Sequence, residues 1–141
     1  MSLEAKRIIN GTWGEVWLDS DKVIEAYGIQ AKLNFKKEDV QLCGQMGSDK
    51  KITGFDGTGS LRMHKANSRM AKKILKEMME GRDVRFTIIT KLSDPDSYGT
   101  ERVALKGVSF DDLTIADWES GANGKVEAPF TFTKVEYLDM I

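Results

Sequence analysis

The sequence predicts a mainly β domain with one α-helix. Most segments alternate apolar and polar residues with a period of two, which is typical of strands with one buried face. Residues 84–92 and 126–135 are the clearest cases, and only residues 68–80 carry helical spacing. No catalytic constellation accompanies this pattern, which favours a structural protein over an enzyme.

Length and charge restrict the possible classes of protein. The 141 residues fit one domain spanning 1–141. The net charge of −1 lacks the basic surplus of a dedicated nucleic-acid binder. No apolar run reaches the roughly 20 residues of a membrane-spanning helix, so we expect no membrane insertion. Residues 1–10 do not resemble a secretion signal. The single cysteine, Cys43, is expected to be a half-buried strand residue in a reducing compartment.

The first elements in chain order form a short hairpin. Residues 1–10 are a mixed-charge leader, either an arm or a first strand. Residues 11–14 form a turn before a strand over 15–18. Asp19, Ser20 and Asp21 then predict a tight turn into a strand over 22–26, because Asp and Ser satisfy turn backbone groups locally.

A glycine-rich segment separates two further strands. Alternation predicts strands over 31–42 and 61–64. Between them we predict a long protruding hairpin or loop, and loops of this length are usually functional or mobile. The predicted loop consists of Gly44, Gln45, Met46, Gly47, Ser48, Asp49, Lys50, Lys51, Ile52, Thr53, Gly54, Phe55, Asp56, Gly57, Thr58 and Gly59. Few large apolar side chains are available to hold it against a core.

The helix is predicted over residues 68–80. Ser68 is expected to cap its N-terminus through the hydroxyl, and Gly81 to follow its C-terminus. Lys73–Glu77 and Lys76–Glu80 are spaced four apart and are expected to pair weakly. A predicted apolar face, expected to pack in the core or at an interface, consists of Met70, Ala71, Ile74, Leu75, Met78 and Met79.

The rest of the sequence is predicted to form strands and turns. Strands are predicted over 84–92 and 101–110, joined by turn formers at 93–99. The apolar phase shifts at Gly107, which predicts a β-bulge. Residues 111–119 are a strand or irregular, 120–125 a turn and 126–135 the last strand. Pro129 cannot donate to a ladder, so it is expected at an edge or bulge.

Four groups of residues are candidates for chemistry, and each has a structural explanation. His64 has no partner for a metal site, so we expect a solvated strand residue. The acidic groups at 94–96 and 111–112 lack calcium-loop spacing and suit turns. Residues 54–59 precede a strand, whereas a phosphate loop opens a helix. The tryptophans, Trp13, Trp17 and Trp118, suit a core or subunit contact better than a base-stacking platform. We therefore predict no catalytic, cofactor-binding or metal-binding residues.

The joint order of several motifs resembles a known family. These motifs cover 10–19 (NGTWGEVWLD), 44–47 (GQMG), 57–60 (GTGS), 93–99 (SDPDSYG), 101–103 (ERV), 110–114 (FDDLT) and 127–132 (EAPFTF). In these segments the chain is similar to the tail tube proteins of contractile-tailed bacteriophages, the XkdM-like group of phages, defective prophages and phage-tail bacteriocins.

The resemblance implies both architecture and assembly. It implies two packed, roughly orthogonal β-sheets flanked by a helix. It implies hexameric rings that stack into a hollow tube for DNA delivery inside a contractile sheath, with sheath, baseplate and tape-measure proteins as partners and DNA only in transit. The location implied is the virion tail, assembled in the host bacterial cytoplasm.

Two points stay open at this stage. The residues that face the lumen are not determined. A small β-barrel module that binds nucleic acid or another ligand is the alternative function. Within the tube hypothesis, we expect loop 44–59 to be mobile in the free subunit and ordered between subunits or rings.

Overall fold

The computed structural model describes residues 2–141 and contains eight strands and one α-helix. Short 3₁₀ turns at Ala5–Arg7 and Gly11–Trp13 precede the first strand. The helix α1 spans Arg69–Met79. The strands are β1 Gly14–Leu18, β2 Asp21–Lys22, β3 Ala26–Gln41, β4 Ser48–His64, β5 Phe86–Leu92, β6 Glu101–Phe110, β7 Lys125–Phe132 and β8 Lys134–Asp139. The predicted mainly β class with one helix is confirmed.

The strands form two antiparallel sheets that share β6. The first sheet has the order β2-β1-β5-β6-β8, and the second contains β7, β4 and β3 together with the end of β6. Only Ser109 and Phe110 of β6 pair with β7. The outer edge of the second sheet is β3, which pairs with β4 alone.

Apolar residues from both sheets form one buried cluster. Phe130, Leu61, Ile88, Leu18, Leu105 and Val108 are its largest fully buried side chains. Along β7 the buried Ala128, Phe130 and Phe132 alternate with Glu127 and Thr131, as the sequence pattern predicts. Burying a side chain of this size stabilises the fold by about 1.5–3 kcal/mol.

A corner at Gly107 carries β6 from one sheet to the other. β5 advances from Phe86 to Ile88 while β6 advances from Val108 to Leu105, so β6 has one extra residue. Gly107 has φ +68°, a conformation that glycine adopts without strain. Thr133, the single residue between β7 and β8, donates from its backbone N–H to the Lys106 carbonyl at 3.0 Å. The predicted bulge is confirmed, and the predicted last strand is divided in two at this corner.

The N-terminal half of the helix packs against the rest of the fold, and two ion pairs hold it there. Ile74 is buried, and Met70 and Ala71 are half-buried. Arg69 donates to both carboxylate oxygens of Glu25, at 2.9 and 3.1 Å. Lys73 binds Asp21 at 2.6 Å, and this hydrogen bond and charge lower the pKa of the Asp21 carboxyl below its ordinary value.

The predicted apolar face was wrong for Leu75, Met78 and Met79. Leu75 is 42% exposed and Met79 is 80% exposed, and Met78 is also exposed. Within the stripe only Ile74 is buried and Met70 and Ala71 are half-buried, so the shielded line is narrower than the predicted face.

Two further details of the helix differ from prediction. Ser68 makes no side-chain cap, and Asn67 Oδ1 instead accepts from the Arg69 backbone N–H at 3.0 Å. Glu77 and Glu80 pair with Arg82, and not with Lys73 and Lys76, because Arg82 lies directly after the helix end. Gly81, at φ +77°, terminates the helix as predicted.

The difference between Ile74 and Leu75 gives a matched test. We expect Ile74→Asp to prevent stable folding, because it places a charge among apolar side chains. Leu75→Asp should change the free energy of unfolding by less than about 1 kcal/mol, as substitutions of exposed residues usually do. Circular dichroism melting of both variants checks this, and equal melting temperatures would refute the orientation of the helix.

The predicted loop over 44–59 was wrong in extent. Residues 48–59 are part of strand β4, and only 42–47 form the connecting turn. The glycines in 54–59 were predicted to be loop residues, but they lie in strand β4. Gly57 and Gly59 are opposite Phe132 and Phe130 in β7. The protruding hairpin, which was the other form of the prediction, is what the structure contains.

Some local expectations also differ. Cys43 is exposed at the turn and is not a half-buried strand residue, since β3 ends before it at Gln41. The Pro129 carbonyl accepts from the Asp111 backbone N–H at 2.8 Å, just beyond the last pair between β6 and β7. Pro129, which has no N–H to donate, therefore lies at an edge of the pairing, as predicted. Residues 111–119 are irregular. No helix within residues 2–141 is both long and apolar enough to cross a membrane.

Candidate assembly surfaces

The distal part of the β3–β4 hairpin projects beyond the body of the molecule. The last pair between β4 and β7 is Gly57↔Phe132, so residues 34–56, here called the arm, have no third strand beside them. Eight residues of β3 from 34 to 41 span about 25 Å. Nearly every arm residue is exposed. The arm is therefore a two-stranded ribbon that makes almost no contact with the hydrophobic core of its own chain.

One face of the arm is apolar. Phe35 and Phe55 are direct partners across the two strands and are 57% and 52% exposed. Ile52 is also exposed and opposes Lys37. Thr53 has no partner in β3, and this bulge keeps Ile52 on the same face as Phe55. A regular strand would have turned Ile52 to the opposite face.

Two glycines at the base of the arm receive aromatic rings. Gly57 pairs with Phe132 and Gly59 with Phe130, across β4 and β7. A Cβ at either glycine would stand about 2.6 Å from the opposing ring. The rings therefore lie directly on the β4 backbone, and any larger residue would displace them. Close packing of these rings on the β4 backbone explains the two glycines.

The opposite face of the second sheet is polar and carries both basic and acidic residues. Asn34 Nδ2 donates to Thr58 Oγ1 at 2.9 Å, and Ser60 Oγ donates to Glu127 at 2.8 Å. Lys36 pairs with Asp56 at 3.5 Å. By strand alternation this face carries Gln30, Lys32, Asn34, Lys36, Asp56, Thr58, Ser60, Arg62, His64, Lys125, Glu127, Pro129 and Thr131. No large apolar side chain belongs to this set.

An apolar groove of about 1180 Å³ lies between the two sheets on the β3 side. Its apolar walls come from Ile29, Leu33, Phe35, Val103, Val135 and Tyr137. Its lining also includes the basic residues Lys22, Lys32, Arg62 and Lys91 and the acidic residues Glu15 and Glu101, and Lys22 pairs with Glu15 at 3.5 Å. The sandwich is therefore not closed on this side within one chain.

Residues 111–119, here called the acidic segment, expose large apolar side chains between carboxylates. Trp118 is 84% exposed and Ile115 is 67% exposed. No Lys or Arg occurs from residue 111 to residue 124. None of the ion pairs found within residues 2–141 involves the four carboxylates, which are Asp111, Asp112, Asp117 and Glu119. Leu113 alone anchors the segment to the core cluster.

The residues considered for chemistry are dispersed. His64 is exposed and its ring lies 4.6 Å from that of Tyr27, centroid to centroid. Asp94 accepts from the backbone N–H groups of Asn10 and Asp96, so it organises a turn. Trp13 and Trp118 are exposed and do not belong to the core. Within residues 2–141 no cluster of three His, Cys, Asp or Glu could hold a metal ion.

Sequence comparisons identify the family. Residues 1–139 match the family described as phage tail tube protein. The chain is 32% identical over 134 residues to the phage-like element PBSX protein XkdM of Bacillus subtilis (strain 168), covering 94% of this chain and 91% of that protein. The uncharacterized protein YqbM of the same strain is similar to the same degree. The chain therefore belongs to the phage tail tube protein family, and its identification from sequence as a structural tube subunit is confirmed.

Solved structures agree with the fold. The chain is similar to a chain of the anti-feeding prophage cap, with a TM-score of 0.74 and 13% identity over 99% of this chain and 97% of that one. It is similar to a chain of an extracellular contractile injection system sheath-tube complex, with a TM-score of 0.69 and 11% identity over 99% and 100%. A Bacillus subtilis protein matches at 30% identity with a TM-score of 0.56, over 97% and 100%. The first two similarities concern the fold alone.

Proposed function

We propose that this subunit forms hexameric rings that stack into a hollow tube, and that the arm joins one ring to the next. The tube would conduct DNA inside a contractile sheath, with baseplate and tape-measure proteins as further partners. It would assemble in the host bacterial cytoplasm. The subunit itself would have no enzymatic activity.

The arm is the observation that carries this proposal. It exposes Phe35, Phe55 and Ile52 on one face of a ribbon that has no packing partner in its own chain. An exposed two-stranded ribbon is marginally stable in water, and exposed strand edges are normally covered. A neighbouring copy would bury both the apolar face and the free edge of β3. This interface uses different surfaces on the two copies, as closed rings and stacked assemblies require.

Strand alternation then identifies the face of the second sheet that would line the lumen. Its core face is occupied by Phe130, Phe132 and Leu61, so only the polar face is available. Hydroxyl and amide groups form much of this face, and the carboxylates of Asp56 and Glu127 would offset part of its positive charge toward a passing polyanion. A conduit with such walls holds DNA weakly and lets it move.

We expect no tight binding of DNA. The polar face has no surplus of cations large enough to release many counterions from the phosphate backbone. Fluorescence anisotropy with labelled duplex and single-stranded DNA, at about 0.15 M salt, should show no sub-micromolar affinity. The double variant Asp56→Lys, Glu127→Lys should gain salt-dependent affinity. Sub-micromolar binding by the unaltered protein would favour the alternative function, a small β-barrel nucleic-acid-binding module.

Electron microscopy tests the assembly directly. Negative-stain images of the concentrated purified protein should contain rings or tubes without any added ligand. Sedimentation velocity on the same sample should show a large species that increases with concentration. A protein that stays monomeric at every concentration, and also fails to enter tubes when produced with its sheath partner, would refute the proposal.

A further inference from the structure

The arm and the acidic segment lie at opposite ends of the second sheet. β4 and β7 pair from the base of the arm to His64↔Lys125 at the other end, a length of about 24 Å. β6 runs antiparallel to β7, and the Asp111 backbone N–H donates to the Pro129 carbonyl just after β6 ends. The acidic segment therefore leaves β6 in the direction of the end that is remote from the arm.

Two further contacts place the acidic segment at that end. Leu113 lines a small cavity together with His64 and Lys65, which are the last residue of β4 and the residue after it. The Lys65 backbone N–H also donates to the Gly124 carbonyl at 2.8 Å, so the turn that follows the segment is held beside the same residues. The exposed side chains of the segment thus belong to the end opposite the arm.

Stacking of copies along one axis brings these two ends together. In a head-to-tail repeat, the end that carries the arm meets the opposite end of the next copy. Phe35↔Phe55 is two pairs beyond Leu33↔Gly57, which is the last level at which β7 is present. Two pairs along a strand are about 7 Å. The phenylalanine pair therefore stands close to the junction, where the body of the next copy begins.

Both surfaces expose apolar side chains that their own chain does not cover. The arm exposes Phe35 and Phe55, which are its aromatic pair, and the remote end exposes Ile115 and Trp118. Aromatic side chains that become buried in a contact are a major source of interface stability. One head-to-tail contact would bury all four side chains.

The charges of the two surfaces are opposite. By strand alternation, the charged residues on the apolar face of the arm are Lys37, Asp39 and Lys50. Lys50 pairs with Asp39 at 3.8 Å, and none of the ion pairs found within residues 2–141 involves Lys37. The four carboxylates of the acidic segment outnumber Lys65 and Lys125, the two lysines beside the turn at 120–124. Opposite potentials across an interface direct encounter and fix its register.

We propose that the apolar face of the arm docks on the acidic segment of a second copy of this chain in the next ring. Phe35 and Phe55 pack against Trp118 and Ile115, and Lys37 faces the carboxylates of the segment. This inference rests on the proposed stacking of rings, and it names the surface that receives the arm. The two surfaces share no residue, so every ring added to the stack presents a new free arm or a new free acidic segment.

Cross-linking gives the sharpest test. In a Cys43→Ser background, Lys37→Cys marks the arm and Ala116→Cys marks the acidic segment, and both positions are exposed. A short bis-maleimide reagent should convert the assembled double variant into a ladder of covalent oligomers. Each single variant should give nothing larger than a dimer. Lys37→Cys combined with Lys72→Cys is the matched control, because Lys72 is exposed on α1 outside both surfaces.

Side-chain removal and a charge exchange provide a second readout. Trp118→Ala should reduce the number of tubes about tenfold or more while rings still form, because the contact lies between rings. Met79→Ala, which shortens a similarly exposed side chain on α1, should form tubes of parental length. Lys37→Glu should also reduce tube formation, and adding Asp117→Lys should restore it. Melting temperatures should stay near that of the parent, since all these residues are exposed.

The outcomes distinguish this inference from the proposed function. Tubes without a ladder in the Lys37→Cys, Ala116→Cys variant would overturn the docking and leave tube assembly intact. A ladder of equal or greater extent from the Lys72→Cys control would also overturn it, because the arm would then contact α1. Absence of rings and tubes from the unaltered protein would overturn the docking and the proposed assembly together.

Discussion

Removal of the arm is expected to abolish tube formation while the fold is retained. Replacing residues 36–54 by Asn-Gly would join Phe35 to Phe55, which are direct partners across the hairpin. Asn-Gly is the most favourable two-residue hairpin turn. The deleted residues are almost all exposed and none belongs to the core cluster. We therefore expect a melting temperature within a few degrees of the parent and no stacked tubes in electron micrographs.

A less drastic pair of variants separates the two faces of the arm. Phe35→Ser with Phe55→Ser removes the apolar pair and leaves the backbone hairpin intact. The matched control, Asn34→Ser with Thr58→Ser, alters the polar face at the same level of the ribbon. Tubes should be lost in the first variant and formed in the second. Tubes of normal length from the arm deletion would eliminate the arm from assembly, and an unfolded deletion would show that it belongs to the core.

Gly107→Ala is expected to destabilise the fold strongly, although this position lies outside the buried core cluster. An alanine at φ +68° costs about 1–2 kcal/mol. Its Cβ would also collide with Thr133 Oγ1, which lies at the corner between β7 and β8. Both sheets meet at this position, so relaxation would disturb the pairing of β6 with β5, β7 and β8. We expect the melting temperature to fall by roughly 5–12 °C.

Two companion variants assign the cause. Thr133→Ala should recover part of the loss in the Gly107→Ala background, because it removes the colliding hydroxyl but leaves the backbone strain. Gly47→Ala should be nearly neutral, since nothing lies within 4 Å of its added Cβ. Urea unfolding of the parent, Gly107→Ala, Thr133→Ala and the double variant gives the coupling free energy between the two positions. A Gly107→Ala protein as stable as Gly47→Ala would contradict the role of the corner.

The sequence predicted those elements in which the alternation along a single strand shows which residues are buried. Alternation located β6 at its observed bounds and placed one strand over β7 and the start of β8, and the phase shift located the bulge at Gly107. It failed where another part of the chain determines the environment. Gly57 and Gly59 resemble loop residues until Phe132 and Phe130 are placed opposite them. Leu75 and Met79 resemble core residues in the sequence, but both are exposed in the folded chain.

The candidate surfaces were predicted less completely than the fold. The segment 44–59 pointed to the hairpin, but the apolar face of the arm also uses Phe35, which the sequence assigned to an ordinary strand. Its exposure depends on where β7 ends, and that is a tertiary property. The groove could not be found from sequence, because its walls come from β3, β6 and β8, which are far apart in the chain. The same limit applies to the acidic segment, although its run of residues without Lys or Arg was a visible signal.

A cryo-electron microscopy reconstruction of the assembled protein tests the central claim most directly. The proposal predicts six subunits around a central channel, with the polar face of the second sheet on the inner wall. It also predicts that the arm of each subunit crosses the junction between adjacent rings and buries Phe35 and Phe55 there. A ring in which the arm remains in solvent, or a channel lined by another surface of the subunit, would contradict it.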